Sequence, residues 1–151
     1  MSAFDILPYR PDLLSQVAEA YVAIFNGSEW NERWTQERAE KRLQQVIGTP
    51  DSMGFVAVDD QGAIVGFTFG VIESWDVLDQ CYIKELAVCS GHRGQGVGSA
   101  LLNRLTKAAF QQHATQMVVD TNRDIPAYGM YQRRGYVETE RVMLFRSDLT
   151  L

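Results

Sequence analysis

Three glycines at alternate positions, Gly94, Gly96 and Gly98, stand between Arg93 and Ser99, and no Asp or Glu occurs from Leu86 through Val119. Glycine lacks the Cβ that would hold an anion away from the main chain, so the N–H groups of this stretch are free to close on an oxyanion. Ile83-Lys84-Glu85-Leu86-Ala87-Val88 ahead of it reads as a strand, and the chain from Val97 onward reads as a helix. The glycines therefore open a helix N-terminus, which carries roughly half a positive charge and several unpaired donors. A nearby aspartate would compete with a bound phosphate. Here the window holds Arg93, Arg104 and Lys107 instead, in a chain whose formal net charge is -5.

Phosphate-binding turns differ in spacing. A dinucleotide fingerprint runs G-x-G-x-x-G after the first strand of a βαβ unit, with an acid about 20 residues later. This turn runs G-x-G-x-G, and the helix where that acid would fall has none. A nucleotide triphosphate loop needs Lys and then Ser or Thr after its last glycine, whereas Gly98 is followed by Ser99 and Ala100. A third pattern, Arg/Gln-x-x-G-x-G/A, matches Arg93-Gly94-Gln95-Gly96-Val97-Gly98. Through it the chain resembles the GNAT superfamily of acyl-CoA-dependent N-acetyltransferases. The segment Ala127-Tyr128-Gly129-Met130-Tyr131-Gln132-Arg133-Arg134-Gly135-Tyr136 is similar to that family's A-x-x-x-Y-x-x-x-G-F/Y ending, and the two motifs together span residues 82–136.

The resemblance implies acetyl-CoA as co-substrate, with its pyrophosphate beside Arg93 on the backbone of Gly94, Gln95, Gly96, Val97, Gly98 and Ser99, and its pantetheine arm along Leu86, Ala87 and Val88. It implies an amine-bearing acceptor and direct acetyl transfer in a ternary complex, with no metal. The implied fold is a single domain over residues 1–151, α/β in class, with a mixed, mostly antiparallel sheet of about seven strands flanked by four helices. Members often dimerise, which offers the final strands as the contact of a homodimer. Two positions depart from the family's pattern. Asp124 stands where many members carry Asn seven residues before the motif tyrosine, leaving Asn122 as the asparagine that could contact the cofactor, and Tyr82 replaces the strand glutamate that serves several members as base.

Acetyl transfer to an amine sets three tasks: an alkylammonium of pKa about 10 must lose a proton, an oxyanion must be stabilised, and a thiolate of pKa about 8.5 must leave. A backbone N–H near Leu86 or Val88, left unpaired by a bulge or a splay of the sheet, would serve the oxyanion. Tyr131 is the candidate general acid, because a phenol of pKa about 10 holds its proton at neutral pH; packing as a core tyrosine is the competing role. For the base the chain offers Glu85, Glu73 or a chain of water. Glu85 interrupts an apolar strand, where a carboxylate is costly unless paired or functional, and an ion pair with Lys84 or an arginine is its alternative role. Strict alternation sets Tyr82, Lys84 and Leu86 on one face and Glu85 on the other unless a bulge intervenes. A chain with the turn but without a working acid and base would be a non-catalytic acyl-CoA-binding module. Glu29, Glu32, Asp76 and Asp79 tilt the acceptor toward a small cationic molecule, with a protein or peptide amine the other class.

The elements that must position these groups read β-α-α-β-β-β-α-β-α-β-β. Phe4 to Leu7 is a short strand. Leu13, Leu14, Val17, Ala18, Tyr21, Val22 and Phe25 recur at helical spacing, and Thr35 starts a second helix. Gly54 to Val58 and Ala63 to Ile72 form a hairpin around Asp59-Asp60-Gln61-Gly62. Cys81 to Val88, Val97 to Phe110, Thr115 to Asp120 and Ile125 to Arg134 follow, with a strand pair over Gly135 to Phe145. Cys81 and Cys89 lie at opposite ends of one strand, too far apart for a disulfide, and with His92 and His113 they make no metal cluster. The acidic balance argues against a nucleic-acid partner. No apolar run approaches the roughly 20 residues that span a bilayer, and the expected location is cytoplasmic, with no membrane partner.

Overall fold

The computed structural model describes residues 3–150. Its elements are β1 (Phe4–Pro8), α1 (Leu14–Phe25) after a 3₁₀ turn at Pro11–Leu13, α2 (Gln36–Ile47), β2 (Ser52–Asp59), β3 (Ile64–Ser74), β4 (Asp79–Val88), α3 (Val97–Gln111), β5 (Gln116–Val119) and α4 (Pro126–Arg133). They fall into two compact units, one ending at Asp120 and the other beginning at Thr121.

In the first unit the sheet order is β1-β2-β3-β4-β5. Neighbours are antiparallel from β1 to β4, and β5 joins β4 in parallel. Local chemistry sets the element ends. Thr35 Oγ1 accepts the Arg38 N–H at 3.2 Å, satisfying one of the donors that α2 would otherwise leave bare. In the β2–β3 turn Asp59 Oδ1 accepts from the N–H groups of Gln61 and Ala63 at 3.0 and 2.9 Å, and Gly62 takes the left-handed φ of +81° that closes it.

One face of the sheet is covered by α1 and α2. Val17, Tyr21, Ile24, Leu43 and Val46 are buried there with Phe67 and Phe69 of β3, each such side chain contributing about 1.5–3 kcal/mol by leaving water. The opposite face takes α3, which lies close because β3 presents glycines to it. A Cβ on Gly70 would come within 2.8 Å of Cys81 Sγ and 3.2 Å of Leu105, and one on Gly66 within 3.1 Å of Val97 and Leu101.

The sheet has five strands, not about seven. Residues 135–150 contain no strand. The apolar run Val142 to Phe145 and the residues around Glu138 to Glu140 suggest a strand pair, but a strand is held by a ladder partner and by burial of one face. Val137, Leu144 and Phe145 are 86%, 93% and 87% exposed, so that burial is missing. In the second unit α4 begins at Pro126, which suits a first helical turn. It ends at Gly135, whose φ of +84° lets the Gly135 and Tyr136 N–H groups bond back to the carbonyls of Gln132 and Tyr131.

Candidate functional site

After β4 a 3₁₀ turn at Ser90–His92 leads into Arg93. Gly94 and Gly96 then adopt φ of +73° and +84°, backbone that bulky side chains resist. Gly96 is the N-cap of α3; no side chain caps that end. The first-turn N–H groups of Val97, Gly98 and Ser99 thus remain as donors. Nothing lies within 4 Å of where a Cβ would stand on Gly91, Gly94 or Gly96, so the outer side of the turn is open. His92 Nδ1 is buried close by without a hydrogen-bond partner. Arg93 forms an ion pair with Glu29 from the loop between α1 and α2. The turn therefore fits an anionic group, with one carboxylate brought against its cation by the fold.

The strand that feeds the turn is irregular on both edges. β5 pairs with β4 only from Gln80 to Ile83, so among the described residues Lys84 to Val88 have no partner on that side. Toward β3 the Cys89 N–H bonds to the Val65 carbonyl at 2.9 Å. Alternation then turns the N–H groups of Val88 and Leu86 the other way, into the opening beside the end of β5. The register with β3 also slips: Ile83 faces Gly70, Glu85 faces Phe69, and Lys84 is the extra residue of a bulge. Because Tyr82 faces Val71, the bulge brings Tyr82 and Glu85 to the same face, that of α1 and α2.

Glu85 is buried there, and its Oε1 accepts hydrogen bonds from Arg42 Nε at 2.9 Å and Tyr21 Oη at 3.1 Å. Burial pushes the Glu85 carboxyl above the usual range more than Arg42 and Tyr21 pull it down. The Tyr21 phenol is pushed up by burial and by the adjacent carboxylate. Trp34 packs edge-on to Tyr21 at 4.8 Å, and Trp30 to Phe25 at 5.2 Å. Trp34 Nε1 donates to Glu32 Oε1 at 2.9 Å. Two of the three tryptophans thus belong to the aromatic packing of α1, while Trp75 is 61% exposed.

Further along β4, Glu73 Oε1 accepts from Gln80 Nε2 at 3.0 Å. Tyr82 Oη donates to Asp120 Oδ2, and the Lys84 ammonium lies 3.9 Å from the centre of the Tyr82 ring. Burial, and next the bond to Asp120, push the Tyr82 phenol up to about 12. Burial raises the Cys81 thiol to about 11 and that of Cys89 in the same direction, which suits neither for a nucleophile. Asp120, Arg42 and Tyr21 escape sequence reasoning as site residues, and Glu29, read there as an acid facing a cationic acceptor, is instead paired with Arg93. Asp120 alone left a signal, as the first acid after the long acid-free window.

The other predicted residues lie in the second unit. Tyr131 is buried with its ring 5.2 Å from that of Tyr136, and burial pushes its phenol up. Asn122 Oδ1 accepts the Asp124 N–H at 3.1 Å.

The model of the acetyltransferase (GNAT) family matches residues 15–136. Streptothricin acetyltransferase of Streptomyces lavendulae is 32% identical over 87 residues, 57% of this chain and 45% of that protein. The chain spans about half the length of the first curated relatives it matches. Among solved structures, AAC(6')-Iy in complex with the bisubstrate analog CoA-S-monomethyl-acetylneamine aligns with a TM-score of 0.77 at 19% identity, covering 98% of this chain and 100% of that one. Aminoglycoside 6'-N-acetyltransferase AAC(6')-Ih from Acinetobacter baumannii aligns with a TM-score of 0.75 at 18% identity, covering 97% and 99%. At these identities the structural likeness is one of fold.

Proposed function

The chain belongs to the acetyltransferase (GNAT) family, and from that premise we propose that it is an acetyl-CoA-dependent N-acetyltransferase acting directly on an amine of a small cationic molecule or of a protein or peptide. The observation that carries this reading is the continuity of two features on one strand: the N–H groups of Leu86 and Val88 turned into the opening beside β5, and the open glycine turn a few residues later. The first suits a carbonyl that is gaining negative charge, the second a pyrophosphate. The similar proteins named for streptothricin and aminoglycosides support a small-molecule acceptor.

Bound acetyl-CoA would supply the activated acyl carbon and a thiolate leaving group. Arg93 and the backbone of Gly94 to Ser99 hold its phosphates, Leu86, Ala87 and Val88 align its pantetheine arm, and Asn122 adds a contact to it. Leu86 and Val88 N–H groups donate to the thioester oxygen, and preorganised donors of this kind are worth about 10² to 10³ in rate. Tyr131 gives the leaving thiolate its proton. Glu85 enters as the anchor that ties α1 and α2 to β4 rather than as the base, its carboxylate being engaged by Arg42 and Tyr21, while Glu73 flanks the acceptor's path. A homodimer is supported by Val142, Met143, Leu144 and Phe145, consecutive apolar residues that are all largely exposed.

Calorimetric titration with acetyl-CoA, followed by thiol release across a panel of amines, tests the reading. Binding together with turnover on at least one amine is expected. Tight binding without turnover on any amine would make the chain an acyl-CoA-binding module instead. Tyr131→Phe is expected to lower kcat about 100-fold with cofactor affinity unchanged.

A further inference from the structure

One task in this chemistry has no residue yet: accepting the proton of the amine. The structure offers a group at the place where it is needed. Parallel pairing of β4 and β5 ends at Ile83 and Val119. Asp120 is the next residue of the chain, and Tyr82 reaches it across the two strands, so their hydrogen bond sits where the pairing of β4 and β5 ends, on the strand that carries the Leu86 and Val88 N–H groups. The bulge at Lys84 keeps Tyr82 on the face of α1 and α2. The charged groups on that side are Glu73 of β3, held by Gln80, Lys84 and Glu85 of β4, Arg42 of α2, which together with Tyr21 of α1 is bound to Glu85, and Glu32 of the loop before α2, held by Trp34 and repelling the Glu85 charge. Glu85 is buried with one oxygen, Oε1, held by both a cation and a phenol. Asp120 is exposed and holds a phenol.

We propose that Tyr82 and Asp120 form the proton-accepting pair for the acceptor amine, Tyr82 as the catalytic residue that touches the nitrogen and Asp120 as the positioning residue that takes the proton through it. This rests on the acetyltransferase reading above. The amine nitrogen attacks the acyl carbon and forms the C–N bond as the carbonyl electron pair moves onto oxygen. The N–H proton passes to Tyr82 Oη while the proton of Tyr82 passes to Asp120 Oδ2. The oxygen pair then returns, the C–S bond breaks, and the thiolate takes a proton from the general acid. Amide and thiol leave, Asp120 returns its proton to water, and the general acid regains one from water, so the cycle closes with no net proton gained or lost. A bare carboxylate in this place would hold the acceptor as an ammonium ion, which cannot attack. An interposed phenol weakens that trap, and the Lys84 cation 3.9 Å from the ring centre disfavours a second cation beside it.

The test uses Tyr82→Phe and Asp120→Asn in the full chain, with an amine that the wild type acetylates. Each variant is expected to lower kcat about 100-fold near neutral pH while leaving KM for the amine and acetyl-CoA affinity within about twofold; Asp120→Glu should recover part of the rate. If Asp120→Asn does not fold, Tyr82→Phe, which removes one oxygen atom, carries the test. A kcat within about threefold of wild type in Tyr82→Phe overturns the proposal, as does a loss matched by weaker cofactor binding and not recovered by Asp120→Glu. Failure of the wild type to turn over any amine would overturn the acetyltransferase reading together with this one. Turnover that both variants retain overturns this one alone.

Discussion

The glycine turn and the helix-covered face of β4 meet at one strand end, yet they are made of opposite materials. The turn is main chain: consecutive residues, two positive φ angles, and donors that any sequence with enough glycine can present. The face is side chain: Glu85 with Arg42, 43 positions away, and Tyr21, 64 positions away, then Tyr82 with Asp120, 38 positions away. A pyrophosphate presents the same oxyanions in every complex, so backbone suffices for it. Proton transfer from an amine requires groups whose charge changes, and only side chains held by tertiary contacts supply those.

The sharpest way to break this contrast is at the turn. Gly96→Val places a β-branched side chain at φ of +84°, a strain of about 1–3 kcal/mol, and fills the open side that an anion would occupy. Acetyl-CoA affinity should fall at least about 100-fold by calorimetry while far-UV circular dichroism stays unchanged; retained affinity would mean that backbone is not the cradle. On the other side of the contrast, Glu85→Gln removes the charge and keeps the shape. Arg42 is 39% exposed, so water shields the cation left behind, and stability near neutral pH should stay within about 1 kcal/mol of wild type.

The pH dependence of that pair is signed. Burial leaves the Glu85 carboxyl raised in the folded chain, so the folded state holds this proton more tightly than the unfolded one. The stability this contributes is complete below the ordinary glutamate value and is lost as pH rises through the raised one. Urea titrations at about pH 5 and about pH 7.5 should therefore show wild type losing ground to Glu85→Gln at the higher pH. The smallest effect lies where the two regions touch. Glu29→Gln frees Arg93 from its carboxylate and should raise acetyl-CoA affinity about two- to fivefold at low salt, with the gain shrinking in high salt, as expected of a half-exposed pair.

The same contrast explains what could be read from sequence. Gly94, Gly96 and Gly98 announce their geometry because the geometry is local, and so do the Thr35 cap and the Asp59 turn. Lys84 announces nothing. A bulge moves Glu85 to the other face of β4 by inserting one residue that looks like any other in the strand, and its cause lies in the register with β3. The apolar residues Val137 and Val142 to Phe145 mislead in the opposite sense, since β-favouring residues are present and the buried face is not. Arg42 and Glu29 sit among other charged residues of α2 and its preceding loop, and nothing local singles them out. Asp120 was legible in part, through the silence of the 34 residues before it, counted from Leu86 to Val119.

Gly66 and Gly70 act as a height gauge. They seat α3 on β3, and Gly66 lies directly under Val97, the residue where the turn becomes helix. The open N-terminal end of α3 is thus levelled against β3 and, through Gly66, against the Ala87 carbonyl of β4. A methyl group at Gly66 would meet the Ala87 carbonyl of β4 at 3.0 Å and Val97 and Leu101 of α3 at 3.1 Å, so the strand end and the start of the helix would be pressed apart from the sheet interior. On the reading proposed above, a screen for lost acetyl-CoA binding should therefore return substitutions at these two positions in the middle of the sheet.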